Sequence, residues 1–131
     1  ASASRPKRRT RPTMERLKRR QDFVAAARAL YAAMPGMVVQ MRPRGDDAPP
    51  RVGFTATKKI GNAVVRNRVK RRLRELARLQ LSSAARPGHD YVLIGRASSF
   101  GRAFPDLQKD LVSALKRLHR TAQLPADKGT P

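Results

Sequence analysis

The chain has 131 residues, enough for one domain with a modest core, and it contains no cysteine, which excludes disulfides, thiolate zinc sites and cysteine nucleophiles. Lysine and arginine number 30 against 9 aspartates and glutamates, and the formal net charge of +21 favours a polyanionic partner because the isolated chain repels itself. No apolar run approaches the roughly 20 residues of a membrane span, so we expect no membrane association, and the lack of cysteine is consistent with the reducing cytoplasm.

The chain begins with a basic extension, and a predicted helix follows it. Residues 1–13 contain no large apolar residue and cannot contribute to a core, so we expect this segment to be disordered. From Leu17 to Tyr31 apolar residues recur at helical spacing, which predicts a first helix that ends before Pro35-Gly36. The residues on its predicted apolar face are Phe23, Val24, Ala27 and Leu30.

Two strands are predicted next. Residues 37–42 alternate weakly between apolar and polar, and residues 51–57 alternate clearly, with Thr55 and Thr57 on the polar face. Residues 43–50 between them are rich in Pro, Gly and Asp, which predicts a turn or loop with room for a short extra strand. The two strands could pair as a hairpin.

The second half of the chain predicts a long helix, a buried strand and a third helix. The long helix spans about residues 63–81, and the nearly continuous apolar run at residues 91–96 is typical of a buried strand. Pro105 is favoured in the first turn of the third helix, and we expect residues 122–131 to form a disordered tail. The apolar stripe of the long helix comprises Val65, Val69, Leu73, Leu76 and Leu79.

These elements predict an α+β fold in which helices pack on a sheet as a two-layer sandwich. The predicted order is helix, three strands, helix, strand and helix. We expect one domain over residues 14–121.

The face of the long helix opposite its apolar stripe is strongly cationic. Glu75 is the only acid between Lys58 and Arg78, against nine basic residues. Like charges at i,i+4 each destabilise a helix by about 0.2–0.5 kcal/mol unless something neutralises them, so we interpret this face as a nucleic-acid surface rather than a solvated one. At about 100° per residue, the cluster comprises Arg66, Asn67, Lys70, Arg71, Arg74 and Arg78, with Arg68 and Arg72 at its flank.

The turn before this helix adds further positive charge. Lys58 and Lys59 precede Gly61 and Asn62 at the predicted helix N-terminus, where backbone N–H groups and the helix dipole favour a phosphate. Asn62 is equally well explained as a helix N-cap.

The sequence shows no arrangement of residues that would perform hydrolysis. A two-metal nuclease needs clustered carboxylates, but the only adjacent pair, Asp46-Asp47, lies in a Pro-rich loop and suggests turn chemistry. His89 and His119 lack metal-ligand spacing, and we interpret both as surface residues. We therefore predict no catalytic residue and no metal site in the chain, so the chemistry would come from a partner.

Residues 51–75 closely resemble the signature of the bacterial ribonuclease P protein family. The matching segments are Arg51-Val52-Gly53, Lys58-Lys59-Ile60-Gly61-Asn62-Ala63-Val64, Arg66-Asn67-Arg68, Lys70-Arg71 and Arg74. Residues 17–23 resemble the first helix of the family and residues 91–96 resemble its last strand. The resemblance covers about residues 14–120.

The resemblance implies a fold like the second domain of ribosomal protein S5, with a left-handed crossover between parallel strands, although such connections are nearly always right-handed. It also implies an endoribonuclease whose RNA subunit holds Mg²⁺ and removes the 5′ leader of precursor tRNA. The protein would join that ribonucleoprotein as a monomer. By position, the RNA-binding residues would be Lys58, Lys59, Asn62, Arg66, Asn67, Arg68, Lys70, Arg71 and Arg74.

The resemblance further implies a cleft for the single-stranded leader between the first helix and the sheet. Phe23, which the pattern alone assigns equally to the core or to base stacking, would be its stacking aromatic. Many members have a second aromatic where this chain has Ala27, and some have Tyr where it has Gln40, so we expect charge to contribute more here. The predicted cleft residues are Phe23, Ala27, Val38, Gln40, Thr55 and Thr57.

Three other classes of function remain open at the level of sequence. A ribosomal or RNA-assembly protein of the same sandwich type would bind RNA without a processing role. A stand-alone nuclease is disfavoured by the lack of clustered carboxylates. A DNA-binding regulator is disfavoured because no helix-turn-helix spacing is evident.

Overall fold

The computed structural model describes residues 14–123. The predicted disordered extension 1–13 and residues 124–131 of the predicted tail lie outside the described residues. Ala122 and Gln123, which the sequence pattern assigns to the tail, are the last residues of a helix.

The centre of the fold is a mixed sheet of five strands in the order β1-β4-β5-β3-β2. β4 is parallel to both of its neighbours, β1 and β5, whereas β3 is antiparallel to both β5 and β2. The strands are β1 (Glu15–Arg16), β2 (Leu30–Ala33), β3 (Met37–Pro43), β4 (Arg51–Ala56) and β5 (His89–Gly95).

Helices cover both faces of this sheet. The helices are α1 (Arg20–Ala27), α2 (Ala63–Leu76), the single turn α3 (Ser82–Ala84) and α4 (Phe104–Gln123). A π-helical turn, Ala77–Leu81, joins α2 to α3, and short 3-10 turns occur at Lys58–Ile60 and Ala97–Ser99. The predicted α+β class is therefore confirmed. From α1 onward the order of helices and strands is the predicted one except for the single turn α3 between α2 and β5.

The predicted first helix is too long, and the predicted extra strand is misplaced. The helix ends at Ala27, and Leu30–Ala33 forms β2, whereas residues 44–50 form no strand. Pro35-Gly36 is the turn of a hairpin, in which Met34 and Met37 exchange backbone hydrogen bonds of 2.8 and 3.3 Å. Pairing with β3 thus overrides the helical spacing of the apolar residues here.

The predicted hairpin between residues 37–42 and 51–57 is wrong. β5 lies between β3 and β4 and pairs with both of them. β5 is a central strand, and a central strand forms backbone hydrogen bonds with a neighbouring strand along each of its two edges. The β4–α2–β5 unit joins parallel neighbours, as the resemblance implied, while its left-handed crossover stays a prediction.

The main core lies between the sheet and helices α2 and α4. Strand residues on this side alternate with residues on the other face, where α1 packs with a smaller apolar cluster of Leu17, Phe23, Ala26 and Val92. Val24 and Ala27, expected on the buried face of α1, are exposed. The largest buried side chains of the main core include Met37, Val39, Met41, Val69, Leu73, Leu76, Tyr91, Leu93, Leu107 and Leu111.

The π-helical turn changes which residues of the long helix are buried. Val69, Leu73 and Leu76 are buried as predicted, but Leu79 is 42% exposed and Ala77 and Leu81 are buried instead. Because π-helical hydrogen bonds span five residues rather than four, the turn is wider and shifts the apolar stripe.

Contrary to prediction, His119 is partly buried. Its Nε2 lies 2.8 Å from the hydroxyl oxygen of Tyr91, and that oxygen accepts a hydrogen bond of 3.0 Å from the backbone N–H of Arg86. Burial, with help from the nearby positive charge of Arg86, lowers the pKa of His119 from 6.5 to about 4. His89 is also half-buried, and its Nδ1 lies 2.9 Å from the carbonyl oxygen of Pro87.

The lowered pKa of His119 predicts that the protein is less stable in mild acid. Since the folded state binds the proton more weakly than the unfolded state, the contribution to stability is complete above pH ~6.5 and decreases as the pH falls toward about 4. With an allowance for partial exposure, we expect a loss of about 1 kcal/mol in the free energy of unfolding between pH 7 and pH 5. Urea denaturation of the wild type and of His119→Gln at both pH values measures this. The same pH dependence in both proteins would contradict it.

Close packing between α1 and the sheet requires glycine at position 53. A Cβ at Gly53 would lie 2.5 Å from Cε1 and 2.6 Å from Cζ of Phe23, so the Phe23 ring rests directly on the backbone of β4. A residue with a side chain fits there only if the Phe23 ring or α1 moves.

We therefore expect Gly53→Ala to cost about 1–3 kcal/mol in the free energy of unfolding, the usual range for overpacking. Gly101→Ala is the matched control, because nothing lies within 4 Å of a Cβ at Gly101. Urea denaturation compares the two variants. Equal effects on stability would show that Phe23 does not need the space above Gly53.

Candidate nucleic-acid interface

An ion-pair network fixes α1 to one end of the sheet. The fully buried carboxylate of Asp90 on β5 accepts two hydrogen bonds of 2.8 Å from Arg51 on β4 and another from Arg44. Arg51 also contacts Asp22 of α1 at 3.3 Å, and Arg42 lies 3.6 Å from Asp22 and 3.5 Å from Asp90. The network therefore joins α1 to three neighbouring strands.

The arginines keep the Asp90 carboxylate charged despite its burial. Burial alone would raise its pKa, but hydrogen bonds from Arg51 and Arg44 outweigh that effect and hold the pKa below its ordinary value. Sequence analysis missed this network. The available signal was an aspartate at the start of an apolar strand in a chain with only nine acidic residues.

Beyond this network, the residues predicted to line a cleft lie on the face of the sheet beside α1 or at its edge. Cross-strand register places Thr55, Ile94 and Val38 in one row, and Gly53, Val92, Gln40 and Tyr31 in the next. Phe23 covers Gly53 in the second row, and Thr57 follows β4 in extended conformation on the same side as Thr55. Of the predicted cleft residues, Phe23, Val38, Gln40 and Thr55 are half-buried, and Ala27 and Thr57 are exposed.

Tyr31 is an aromatic residue of the cleft face that sequence analysis did not identify. It lies directly opposite Gln40 on the edge strand β2, and 67% of it is exposed. Sequence analysis placed Tyr31 at the end of the first helix. The available signal for a hairpin was the turn-forming pair Pro35-Gly36, because Leu30–Ala33 itself shows no alternation.

Helix α2 carries a surface that we call the cationic ridge. It comprises Arg66, Asn67, Arg68, Lys70, Arg71 and Arg74. Asn67, Arg68, Arg71 and Arg74 are exposed, whereas Arg66 and Lys70 are half-buried on one flank. Within residues 14–123, no carboxylate forms an ion pair with any ridge residue.

Two further cations assigned to this region are engaged in internal contacts. Arg78 forms an ion pair with Glu75 one turn earlier in the helix. Arg72 donates a hydrogen bond to the carbonyl oxygen of Arg102, and its Cζ lies 5.8 Å from the centroid of the Phe104 ring. The ridge of unpaired charge therefore ends at Arg74.

The turn before α2 has the expected helix-start geometry. Asn62 is the N-cap, and its Oδ1 accepts a hydrogen bond of 3.0 Å from the backbone N–H of Val65. Gly61 has φ 156° and ψ −165°, a conformation that is essentially restricted to glycine. Lys58 and Lys59 are exposed beside this helix start.

Residues 14–123 contain neither a metal-binding cluster nor a membrane-spanning helix. No three His, Asp or Glu side chains come together there as a metal-binding group. No helix in that range is both long and apolar enough to cross a membrane.

Comparison with known proteins identifies related chains. The family model described as Ribonuclease P matches residues 12–119. The ribonuclease P protein component of Ruegeria pomeroyi is 55% identical over 106 residues, which cover 79% of this chain and 85% of that protein. The corresponding protein of Caulobacter vibrioides is 55% identical over 102 residues, which cover 77% of this chain and 68% of its own.

Solved structures agree with these sequence matches. The RNase P protein from Thermotoga maritima superposes with a TM-score of 0.65 at 31% identity, covering 79% of this chain and 96% of that one. The Staphylococcus aureus RNase P protein superposes with a TM-score of 0.64 at 28% identity. The match covers 79% of this chain and 94% of the S. aureus chain. From its sequence and its fold alike, the chain belongs to the ribonuclease P protein family.

Proposed function

We propose that this ribonuclease P protein binds the catalytic RNA of the enzyme and the 5′ leader of precursor tRNA. In doing so it assists the Mg²⁺-dependent endonucleolytic removal of the leader. The RNA subunit would hold the Mg²⁺ ions and perform the hydrolysis, and the protein would act as one copy within a cytoplasmic ribonucleoprotein.

The cationic ridge is the observation that carries this proposal. Arg66, Lys70 and Arg74 follow one another at i,i+4, where like charges repel, and no described carboxylate neutralises them. An RNA phosphate backbone along α2 removes this repulsion. Arginine suits that role because its planar guanidinium can donate two parallel hydrogen bonds to a phosphate.

The cleft beside α1 supports binding of the leader. It offers Phe23 and Tyr31 for stacking, the hydroxyls of Thr55 and Thr57, and the amide of Gln40, a combination that fits unpaired nucleotides better than a duplex. Since Tyr31 stands opposite Gln40, the cleft has a second aromatic residue even though positions 27 and 40 lack one.

We expect the protein to increase cleavage of precursor tRNA by bacterial ribonuclease P RNA at low Mg²⁺. Neutralising the ridge with Arg71→Ala and Arg74→Ala should weaken RNA binding roughly tenfold or more, because hydrogen bonds to charged groups contribute about 1.5–3 kcal/mol each. The negative slope of log affinity against log salt concentration should become shallower by about 0.7–0.9 for each lost phosphate contact. Cleavage assays and binding titrations at several salt concentrations measure these effects.

The matched control is Lys116→Ala with Arg117→Ala, which removes the same charge from exposed positions on α4. If the control weakened binding as much as the ridge variant, net charge rather than the ridge would be responsible. No gain in cleavage from the wild-type protein would instead favour the alternative, an RNA-assembly or ribosomal protein without a processing role.

Tyr31 provides a separate test of the cleft. Base stacking on an aromatic side chain contributes about 1–3 kcal/mol, so Tyr31→Ala should weaken binding of precursor tRNA that carries a leader by about fivefold or more. Tyr31→Phe should retain the affinity, and tRNA without a leader should bind both variants like wild type. Equal loss with both RNAs would show that Tyr31 does not contact the leader.

A further inference from the structure

We propose that Phe100, Arg68, Arg71 and Arg72 form a second nucleotide-binding pocket, which holds one unpaired nucleotide of RNA apart from the leader cleft. These four residues line a concavity of about 430 Å³ between α2 and the loop after β5. The inference rests on the proposed function in one respect only, that the ligand of this surface is RNA.

Phe100 is an exposed aromatic residue on a firmly held loop. The side chain of Phe100 is 41% exposed, although phenylalanine is among the residues most often buried in a protein core. The loop is anchored by the Ser98 and Ser99 hydroxyls, which donate hydrogen bonds to the carbonyl oxygens of Pro35 and Gly36. Phe100 is therefore presented to solvent by a fixed backbone.

Arg72 places a fixed positive charge in the wall of this pocket. It is held between the carbonyl oxygen of Arg102 and the face of the Phe104 ring, 5.8 Å from its centroid. Arg71 precedes Arg72 directly, Arg68 lies one helical turn earlier on α2, and both are exposed. A flat apolar ring thus stands next to three guanidinium groups.

This combination matches the two chemical parts of a nucleotide. The ring can stack on a base, and the guanidinium groups can bind the attached phosphate. A free phosphate or an acidic peptide would leave Phe100 unused, and a duplex keeps its base faces inside the helix. An unpaired nucleotide in single-stranded RNA is the ligand that uses all four residues.

The pocket is distinct from the leader cleft. The cleft lies on the face of the sheet that carries α1, whereas α2 and the ring of Phe104 belong to the layer on the opposite face. One protein can therefore hold two separate unpaired stretches of RNA at once.

A tryptophan introduced by Phe100→Trp tests this pocket directly, because the chain contains no tryptophan of its own. The fluorescence of Phe100→Trp should be quenched when the full-length protein is titrated with the single-stranded RNA octamer (A)₈, and much less by an RNA duplex with the same number of phosphates. Leu79→Trp is the matched control. Leu79 is 42% exposed, similar to Phe100, but it lies on the π-helical turn after α2 and does not line the pocket. Quenching at both positions, or by the duplex as strongly as by (A)₈, would overturn the proposal.

Affinity for (A)₈ supplies a second measurement. In a Tyr31→Ala background, which weakens binding of (A)₈ to the leader cleft, Phe100→Ala should weaken the remaining binding about tenfold without changing its salt dependence. Phe100→Tyr should retain it, because stacking involves no counterion release. Arg68→Gln should instead reduce the salt dependence. Unchanged affinity in Phe100→Ala would refute the pocket.

The two proposals can fail separately. If the wild-type protein stimulates precursor-tRNA cleavage but (A)₈ does not quench the fluorescence of Phe100→Trp, the pocket fails and the proposed function stands. If (A)₈ quenches the fluorescence of Phe100→Trp but the wild-type protein does not stimulate precursor-tRNA cleavage, the pocket stands and the proposed function fails.

Discussion

The ion pairing of the buried Asp90 carboxylate is the interaction on which the position of α1 depends. Three arginines, from β3, the loop after it and β4, converge on this carboxylate, and without its negative charge their guanidinium groups would repel one another. Arg51 extends the network to Asp22 of α1. Because α1 is only eight residues long and packs through a small apolar cluster, this ion pairing contributes much of what positions the helix above Gly53.

Five of the eight acidic residues between positions 14 and 123 form ion pairs with arginines. Asp22, Asp90 and Asp110 pair with arginines inside or at the edge of the structure, Asp46 closes the loop with Arg44, and Glu75 pairs with Arg78. As a result, the arginines around Asp90 and Asp110 are neutralised inside the fold, whereas no described carboxylate pairs with the ridge on α2. The distribution of charge, more than its total, defines the surface that RNA would occupy.

Long elements with a clear period were predictable from the sequence, and short ones were not. Fourteen residues of α2 repeat the 3.6-residue period and also carry the family signature, so its start and its buried residues Val69, Leu73 and Leu76 were predictable. The π-helical turn after Leu76 and the ion pair of Arg78 with Glu75 were not. β2 has four residues and follows α1 after only two more, so its apolar residues continued the apparent helical pattern and concealed Tyr31. The Asp90 network was unpredictable for a different reason, since strand order brings together residues that are far apart in the sequence, such as Asp22 and Asp90.

The π-helical turn Ala77–Leu81 separates α2 from the single turn α3. α2, before the turn, sets the direction of the cationic side chains, and the turn itself places Ala77 and Leu81 in the core. A π-helical turn contains one residue more than the α-helical turn it replaces. Loss of one residue there would therefore convert it to an α-helical turn and leave the side chains of α2 and α3 facing the same neighbours as before. A deletion of one residue in this segment would therefore leave the direction of the basic side chains on α2 unchanged.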